Sequence, residues 1–168
     1  MIVVDASALL SVLLGEPAGE RVLSALQGRT EARPDRRTPD EVHGPLIAPE
    51  FLALEVANTI VQIRRRARRV GMEVDSASLA GMSVETLADA IRSHFEALGI
   101  TLESFPAPGS FDRVCQLADR FGLSSYDALY VVLAEKRGAR LLTLDRAMAA
   151  AAVAIGVTTI AGAGSDAN

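Results

Sequence analysis

Four acidic residues are the side chains whose types and positions best suit chemistry in this sequence: Asp5, Glu55, Asp127 and Asp145. Asp5 and Asp145 each come directly after a run of residues that predicts a β-strand. Ligands of open parallel sheets bind beyond the carboxyl ends of the strands. Hard divalent cations prefer carboxylate oxygens, so we expect the four acids to converge on one pocket that binds Mg²⁺, with Mn²⁺ as a substitute.

Each of the three aspartates also has a purely structural explanation. Asp5 and Asp145 stand where a side-chain oxygen would cap the helix that follows. Ser124 and Asp127 match a capping box, in which residues three apart satisfy the free N–H groups at a helix start. Taken separately, none of these aspartates predicts a function.

Glu55 is harder to explain as a structural residue. It lies inside a predicted helix between apolar neighbours, where no cap is needed. A buried carboxylate is costly unless it is paired or binds a metal. A salt bridge to Arg113 or Arg120 is one alternative, since buried charges are normally paired. Asn58 lies on the same helical face and is placed to orient Glu55 or to bind substrate.

Zinc ligands are scarce. The chain has one cysteine, Cys115, and two histidines, His43 in a predicted loop and His94 in a predicted helix. Zinc sites combine several such ligands, so the sequence argues against a zinc enzyme. A lone cysteine forms no internal disulfide, which fits a reducing, cytoplasmic location.

The net charge of −4 argues against a general nucleic-acid coat protein. Five arginines nevertheless fall within residues 64–69, at the end of a predicted helix. Such a cluster either complements the helix macrodipole or contacts phosphate groups, and the sequence leaves both explanations open.

Alternating strands and helices predict an α/β, three-layer sandwich with a central, mostly parallel five-stranded sheet. The predicted strands are Met1–Val4, Leu46–Ala48, Ile100–Leu102, Leu141–Leu144 and Val157–Ile160. The predicted helices are Ser7–Leu14, Ala18–Leu26, Pro49–Arg69, Val74–Leu98 with a break near Gly81, Ser110–Phe121, Ser125–Arg137, and an alanine-rich helix before the last strand. The first half of the third helix, Phe51–Ile63, is apolar on nearly every face and is therefore predicted to be buried.

The length predicts a single domain over residues 1–162, followed by a tail at 163–168. Residues 28–45 contain three prolines and little to bury, so we expect a mobile loop there. No segment is apolar enough to predict a membrane span, and the first residues do not resemble a signal peptide.

Four segments together resemble the PIN-domain nucleases, and most closely the VapC-type toxins of type II toxin–antitoxin pairs. They are Val3–Leu9, Glu55–Asn58, Ser125–Tyr130 and Leu142–Arg146, and the resemblance extends from Met1 to about Ile160. It implies a PIN-like fold and a Mg²⁺-dependent endoribonuclease that hydrolyses RNA by metal-activated water. It also implies a homodimer that a cognate antitoxin silences.

The family pattern carries over to all four acids of this chain. Ser7, Asn58 and Thr143 match positions where the family tends to keep small polar groups near the metal. The chain departs from the pattern at residues 28–45, which are longer than the usual connection.

Several other α/β proteins fit less well. A haloacid-dehalogenase-like phosphatase needs a second aspartate at position 7, where this chain has Ser7. A receiver-like domain needs a lysine after a late strand, yet Lys136 falls inside a predicted helix. A nucleotide-binding turn would be glycine-rich, unlike Asp5–Ala8. A catalytically inactive PIN-like scaffold and a housekeeping RNA-processing nuclease remain the alternatives.

Overall fold

The computed structural model describes residues 1–27, 44–71, 81–104 and 110–161. Most of the predicted loop (residues 28–43), the predicted start of the fourth helix and the predicted tail lie outside these ranges. Two residues from the end of the predicted loop are described, Gly44 and Pro45. The carbonyl of Pro45 accepts a hydrogen bond of 3.0 Å from the backbone N–H of Ile2, so this part of the loop is tied to the first strand.

A five-stranded parallel sheet forms the centre of the molecule, in the order β3-β2-β1-β4-β5. Its strands are β1 (Ile2–Val4), β2 (Leu46–Pro49), β3 (Ile100–Glu103), β4 (Arg140–Thr143) and β5 (Thr159–Ala161). The predicted fold class is therefore confirmed. Strand order reverses between β1 and β4, and this switch point is where parallel sheets bind ligands.

Helices cover both faces of the sheet. They are α1 (Ala6–Leu13), α2 (Pro17–Gln27), α3 (Leu52–Arg69), α4 (Val84–Leu98), α5 (Ser110–Phe121), α6 (Ser125–Arg137) and α7 (Arg146–Ala154). The helices pack in two sets. The first set contains α1, α2, α3 and α4, and the second contains α5, α6 and α7. Right-handed crossovers put the two sets on opposite faces, because the chain crosses the sheet in opposite directions before and after β3. Among the helices that the structure describes, none combines the length and the apolar character of a membrane span.

The core is built from the strands and from one stripe of each covering helix. Ile2, Val3 and Val4 are fully buried, as are Leu141 and Leu142 in the neighbouring strand. A strand that is buried on both sides reads as a continuous apolar run, which is the pattern of a parallel sheet.

The prediction for the start of α3 was wrong. Pro49 belongs to β2, where it pairs with Glu103, and the helix begins at Leu52 after Phe51. The prediction that the first half of this helix is buried was also wrong, since Leu54 is 72% exposed. The buried side chains of α3 recur every four residues, at Leu52, Val56 and Ile60, so only one stripe faces the core.

Helices α1 and α2 approach each other closely at Gly19. A Cβ atom at this position would overlap the carbonyl group of Ser11 in α1. Glycine is unfavourable inside a helix by roughly 1 kcal/mol relative to alanine, so its presence here reflects the close contact between the two helices.

Candidate active site

Asp5 lies at the carboxyl end of β1 and is held by several hydrogen bonds. Its side chain is only 2% exposed. The Oδ1 atom accepts from the backbone N–H of Ala8 at 2.9 Å and thereby caps α1. The Oδ2 atom accepts from the hydroxyl of Thr143 at 2.8 Å. The hydroxyl of Ser7 lies 2.9 Å from both carboxylate oxygens, so the carboxylate has a fixed orientation.

Ser7 and Thr143 also join the ends of β1 and β4. The Ser7 hydroxyl accepts a hydrogen bond of 2.9 Å from the backbone N–H of Leu144. The Thr143 hydroxyl accepts one of the same length from the backbone N–H of Asp145. These contacts bring Asp5 and Asp145 to the same edge of the sheet, as expected for neighbouring parallel strands.

The aspartates at helix starts fulfil their predicted structural roles as well. Asp145 caps α7 by accepting from the backbone N–H of Met148 at 2.8 Å. Ser124 caps α6, accepting from the backbone N–H of Asp127 at 3.1 Å and donating to its Oδ2 atom at 2.7 Å. Capping fixes where these carboxylates sit without using all of their oxygen lone pairs.

The electrostatics of Asp5 are unusual for an aspartate. Its pKa is raised from the usual 3.8 to about 6, chiefly by burial and to a smaller extent by the nearby charge of Asp145. The hydrogen bonds from Ala8, Thr143 and Ser7 lower the pKa in part. Because burial outweighs these bonds, the site penalises the ionised form of Asp5 unless a cation is near.

Glu55, in the first turn of α3, is paired with a tyrosine rather than with an arginine. The Tyr130 hydroxyl donates a hydrogen bond of 2.5 Å to its Oε2 atom. The alternative salt bridges are not formed, because Arg113 binds Glu135 at 2.6 and 2.9 Å and Arg120 lies over the ring of Phe121. Burial raises the pKa of Glu55, Tyr130 lowers it, and the charge of Asp127 raises it.

Tyr130 contacts the candidate site in the described part of the chain, although the sequence did not predict it as a site residue. It is 1% exposed, and its ring packs edge-on against Phe51 at 5.5 Å. Burial raises its pKa most, followed by the hydrogen bond to Glu55 and the charges of Glu55, Asp5 and Asp127. The available signal was its spacing, since it lies three residues after Asp127 and so on the same face of α6.

Asn58 does not reach Glu55. Its side chain is exposed, and in the described part of the chain no hydrogen bond joins the two. Of the three predicted supporting residues, the structure therefore places Ser7 and Thr143 on Asp5 and leaves Asn58 facing solvent.

Electrostatic interactions link Asp5 with Asp145 and Glu55 with Asp127, and Tyr130 interacts with Glu55, Asp5 and Asp127. Within the described ranges no three acidic, histidine or cysteine side chains stand in a ready-made metal geometry. No basic side chain described in the structure forms an ion pair with any of the four. By donor chemistry these oxygens fit a hard divalent cation, which would relieve their mutual repulsion.

Known proteins resemble this chain in both sequence and fold. The PIN domain family matches residues 2–154. Ribonuclease VapC3 from Pyrobaculum aerophilum is 31% identical over 148 residues, which cover 88% of this chain and 92% of that protein. Ribonuclease VapC9 from Mycobacterium tuberculosis is 28% identical over 145 residues, or 86% of each chain.

A solved structure gives the same fold. The crystal structure of PAE2754 from Pyrobaculum aerophilum matches with a TM-score of 0.57 at 22% identity, covering 95% of this chain and 83% of that one. The resemblance predicted from the four segments is thus confirmed over most of the chain. The chain belongs to the PIN-domain family and, within it, to the VapC-type ribonucleases.

Proposed function

We propose that this protein is the toxin of a type II toxin–antitoxin pair, a cytoplasmic endoribonuclease that hydrolyses RNA phosphodiester bonds with Mg²⁺, or with Mn²⁺ as a substitute. The observation that carries the proposal is the buried carboxylate of Asp5 at the switch point, held by Ser7 and Thr143 and raised in pKa by burial and by Asp145. A carboxylate in that environment is suited to binding a cation.

The four acids would hold the cation, directly or through water. When bound, a divalent cation lowers the pKa of a water molecule and neutralises charge on the scissile phosphate. Ser7 and Thr143 keep the Asp5 carboxylate in one orientation, while Tyr130 does so for Glu55. Losing such an outer contact typically lowers affinity for the metal by about 10- to 100-fold.

An inactive PIN-like scaffold is the less favoured alternative. Burying Asp5 and crowding it against Asp145 costs stability, and an inactive protein would gain nothing in return. A housekeeping RNA-processing nuclease would keep the same site and differ from a toxin only in its biological role. The effect of expression on growth therefore distinguishes a toxin from a housekeeping nuclease.

The proposed partners are RNA, a cognate antitoxin and a second copy of this chain. The antitoxin would act on the acidic pocket, because a guanidinium group forms paired hydrogen bonds with carboxylates. An arginine inserted there would exclude RNA and compete with the metal.

The test is RNA cleavage by purified variants in Mg²⁺. Asp5→Asn and Asp127→Asn should each abolish cleavage while circular dichroism shows an unchanged fold. Asp119→Asn, an exposed carboxylate on α5, is the matched control and should retain full activity. Full activity in Asp5→Asn or Asp127→Asn would refute the site assignment.

A further inference from the structure

A polar stripe runs along α3 from the candidate active site to the arginine cluster. An α-helix has 3.6 residues per turn, so residues eleven apart lie three turns apart on the same side. Arg66 therefore lies on the side of Glu55. The α3 stripe consists of Glu55, Asn58, Thr59, Gln62, Arg66 and Arg69.

The arginine end of the stripe borders a groove of about 800 Å³. Thr59, Gln62, Arg66 and Arg69 line this groove, together with Arg65 and the apolar residues Ile63, Ala67 and Val70. Gln62 and the three arginines are exposed, so their polar groups are available to a ligand. Arg68 is also exposed but faces away from the stripe and does not line the groove.

The helix macrodipole explains only part of this arrangement. Arg66, Arg68 and Arg69 lie in the last turn of α3, where a positive charge is favourable on any side of the helix. The macrodipole does not require Arg66 and Arg69 to share a side with Glu55. Arg64 serves the fold, because its guanidinium donates to the carbonyl of Met82.

The charge of the groove and its distance from Glu55 indicate that its ligand is a polyanion. The chain carries a net charge of −4, so a groove lined by three arginines is a local reversal of sign. Arg66 lies about 16 Å from Glu55 along the helix axis, at 1.5 Å per residue. A strand whose scissile phosphate lies at the acids would reach Arg66 with a phosphate a few nucleotides away.

We propose that the α3 stripe is the binding track for the RNA strand on one side of the scissile bond. Arg66 and Arg69 contact its phosphates, and Thr59 and Gln62 offer hydrogen bonds to the backbone between them. This inference rests on the proposed ribonuclease function and adds how the substrate lies on the protein. Phosphate contacts of this kind position a strand without reading its sequence.

The test compares the double variant Arg66→Ala/Arg69→Ala with the control Arg68→Ala. The control also removes an arginine side chain, but from the opposite side of α3. Binding of a fluorescent single-stranded RNA is measured by anisotropy in EDTA over a range of salt concentrations. Activity is measured with the same RNA and with bis(p-nitrophenyl) phosphate, a small diester that cannot reach the arginines.

The double variant should bind RNA about tenfold more weakly, and the slope of log Kd against log salt should fall by about 1.4, since two phosphate contacts are lost. Its KM for RNA should rise while hydrolysis of the small diester is unchanged. Arg68→Ala should match the wild type in all three measurements.

Equal losses in Arg68→Ala, or unchanged RNA binding in the double variant, would overturn the inference. Unchanged RNA binding with weakened binding of an acidic antitoxin would also overturn it and assign the arginines to a protein partner. A wild type that binds RNA through these arginines yet hydrolyses neither substrate would support the track and refute the ribonuclease function.

Discussion

Tyr130 in α6 donates a hydrogen bond of 2.5 Å to Glu55 in α3, although 75 positions separate them in the sequence. The contact fixes one oxygen of a half-buried carboxylate, and no hydrogen bond from the described residues reaches the other. It also joins the two helices that supply Glu55 and Asp127. Tyr130 is buried, so the bond is shielded from water, which strengthens it.

The first prediction concerns this bond. Tyr130→Phe keeps the ring and its packing but removes the donor to Glu55. The Mg²⁺ concentration that gives half-maximal activity should rise roughly 10- to 100-fold, as for other lost contacts to metal-binding side chains. Activity at saturating Mg²⁺ should recover in large part. A metal titration of RNA cleavage measures both quantities.

Tyr126→Phe is the control for this prediction. Tyr126 also packs edge-on against Phe51, but its side chain is 61% exposed. Removing its hydroxyl should leave the metal titration unchanged. If Tyr130→Phe behaves like Tyr126→Phe, the hydrogen bond to Glu55 has no part in metal binding.

The sequence predicted where some of these side chains lie in the fold, but not all of their contacts. Asp5 and Asp145 were predicted at one edge because strand ends in a parallel sheet meet there, and the structure places them so. The partner of Glu55 was not predictable, because it depends on how α3 and α6 pack. An apolar pattern marks Tyr130 as a core residue but does not tell where its hydroxyl points.

The second prediction is a pH-dependent stability difference in EDTA. The raised pKa of Asp5 stabilises the fold below pH 3.8, and this contribution is lost as the pH rises through about 6. The loss amounts to about 3 kcal/mol, at about 1.36 kcal/mol per pKa unit. Asp5→Asn does not titrate, so its stability relative to wild type should increase between pH 4 and pH 7.

Urea unfolding at the two pH values measures this difference. Asp119→Asn, which removes an exposed carboxylate from α5, provides the comparison. A stability difference between Asp5→Asn and wild type that stays constant with pH would show that Asp5 is not held at a raised pKa.

The third prediction concerns stabilisation by metal. A cation that binds only the folded protein raises its stability, by about 2.7 kcal/mol at 100 times the dissociation constant. Millimolar Mg²⁺ or Mn²⁺ should therefore raise the melting temperature of the wild type. Asp127→Asn removes a proposed ligand and should shrink this rise, whereas Asp119→Asn should keep it. A melting temperature that neither metal changes would argue against a metal site.

The boundaries of α3 show why part of the fold escaped prediction. Proline suits the first turn of a helix, so the sequence predicts that the helix begins at Pro49. The position also suits the last residue of a strand, and pairing with β3 decides in favour of the strand. Burial of this helix was overestimated for a related reason. Leu54 is apolar, yet it lies outside the surface of α3 that packs against the core. Sequence composition does not reveal which side of the helix the core covers.

The fourth prediction tests the contact between α1 and α2. Gly19→Ala would normally stabilise a helix, but here the new Cβ atom would overlap the carbonyl of Ser11. We expect a loss of roughly 1 to 3 kcal/mol in unfolding free energy, typical of overpacking. Ser24→Ala, on the exposed side of α2, should be neutral or slightly stabilising. Equal stability of the two variants would mean that the helices separate without cost.

The last prediction separates a toxin from a housekeeping nuclease. An unrestrained ribonuclease degrades the RNA of its host, so inducing the wild-type chain alone should arrest bacterial growth. Asp5→Asn should not arrest growth, because the acids no longer act together, while Asp119→Asn should arrest it fully. Colony counts after induction, with protein levels matched by immunoblot, measure the effect. Co-expressing the antitoxin should restore growth. If the wild type cleaves RNA in vitro but its expression is harmless, the protein is a housekeeping nuclease with a narrow substrate range.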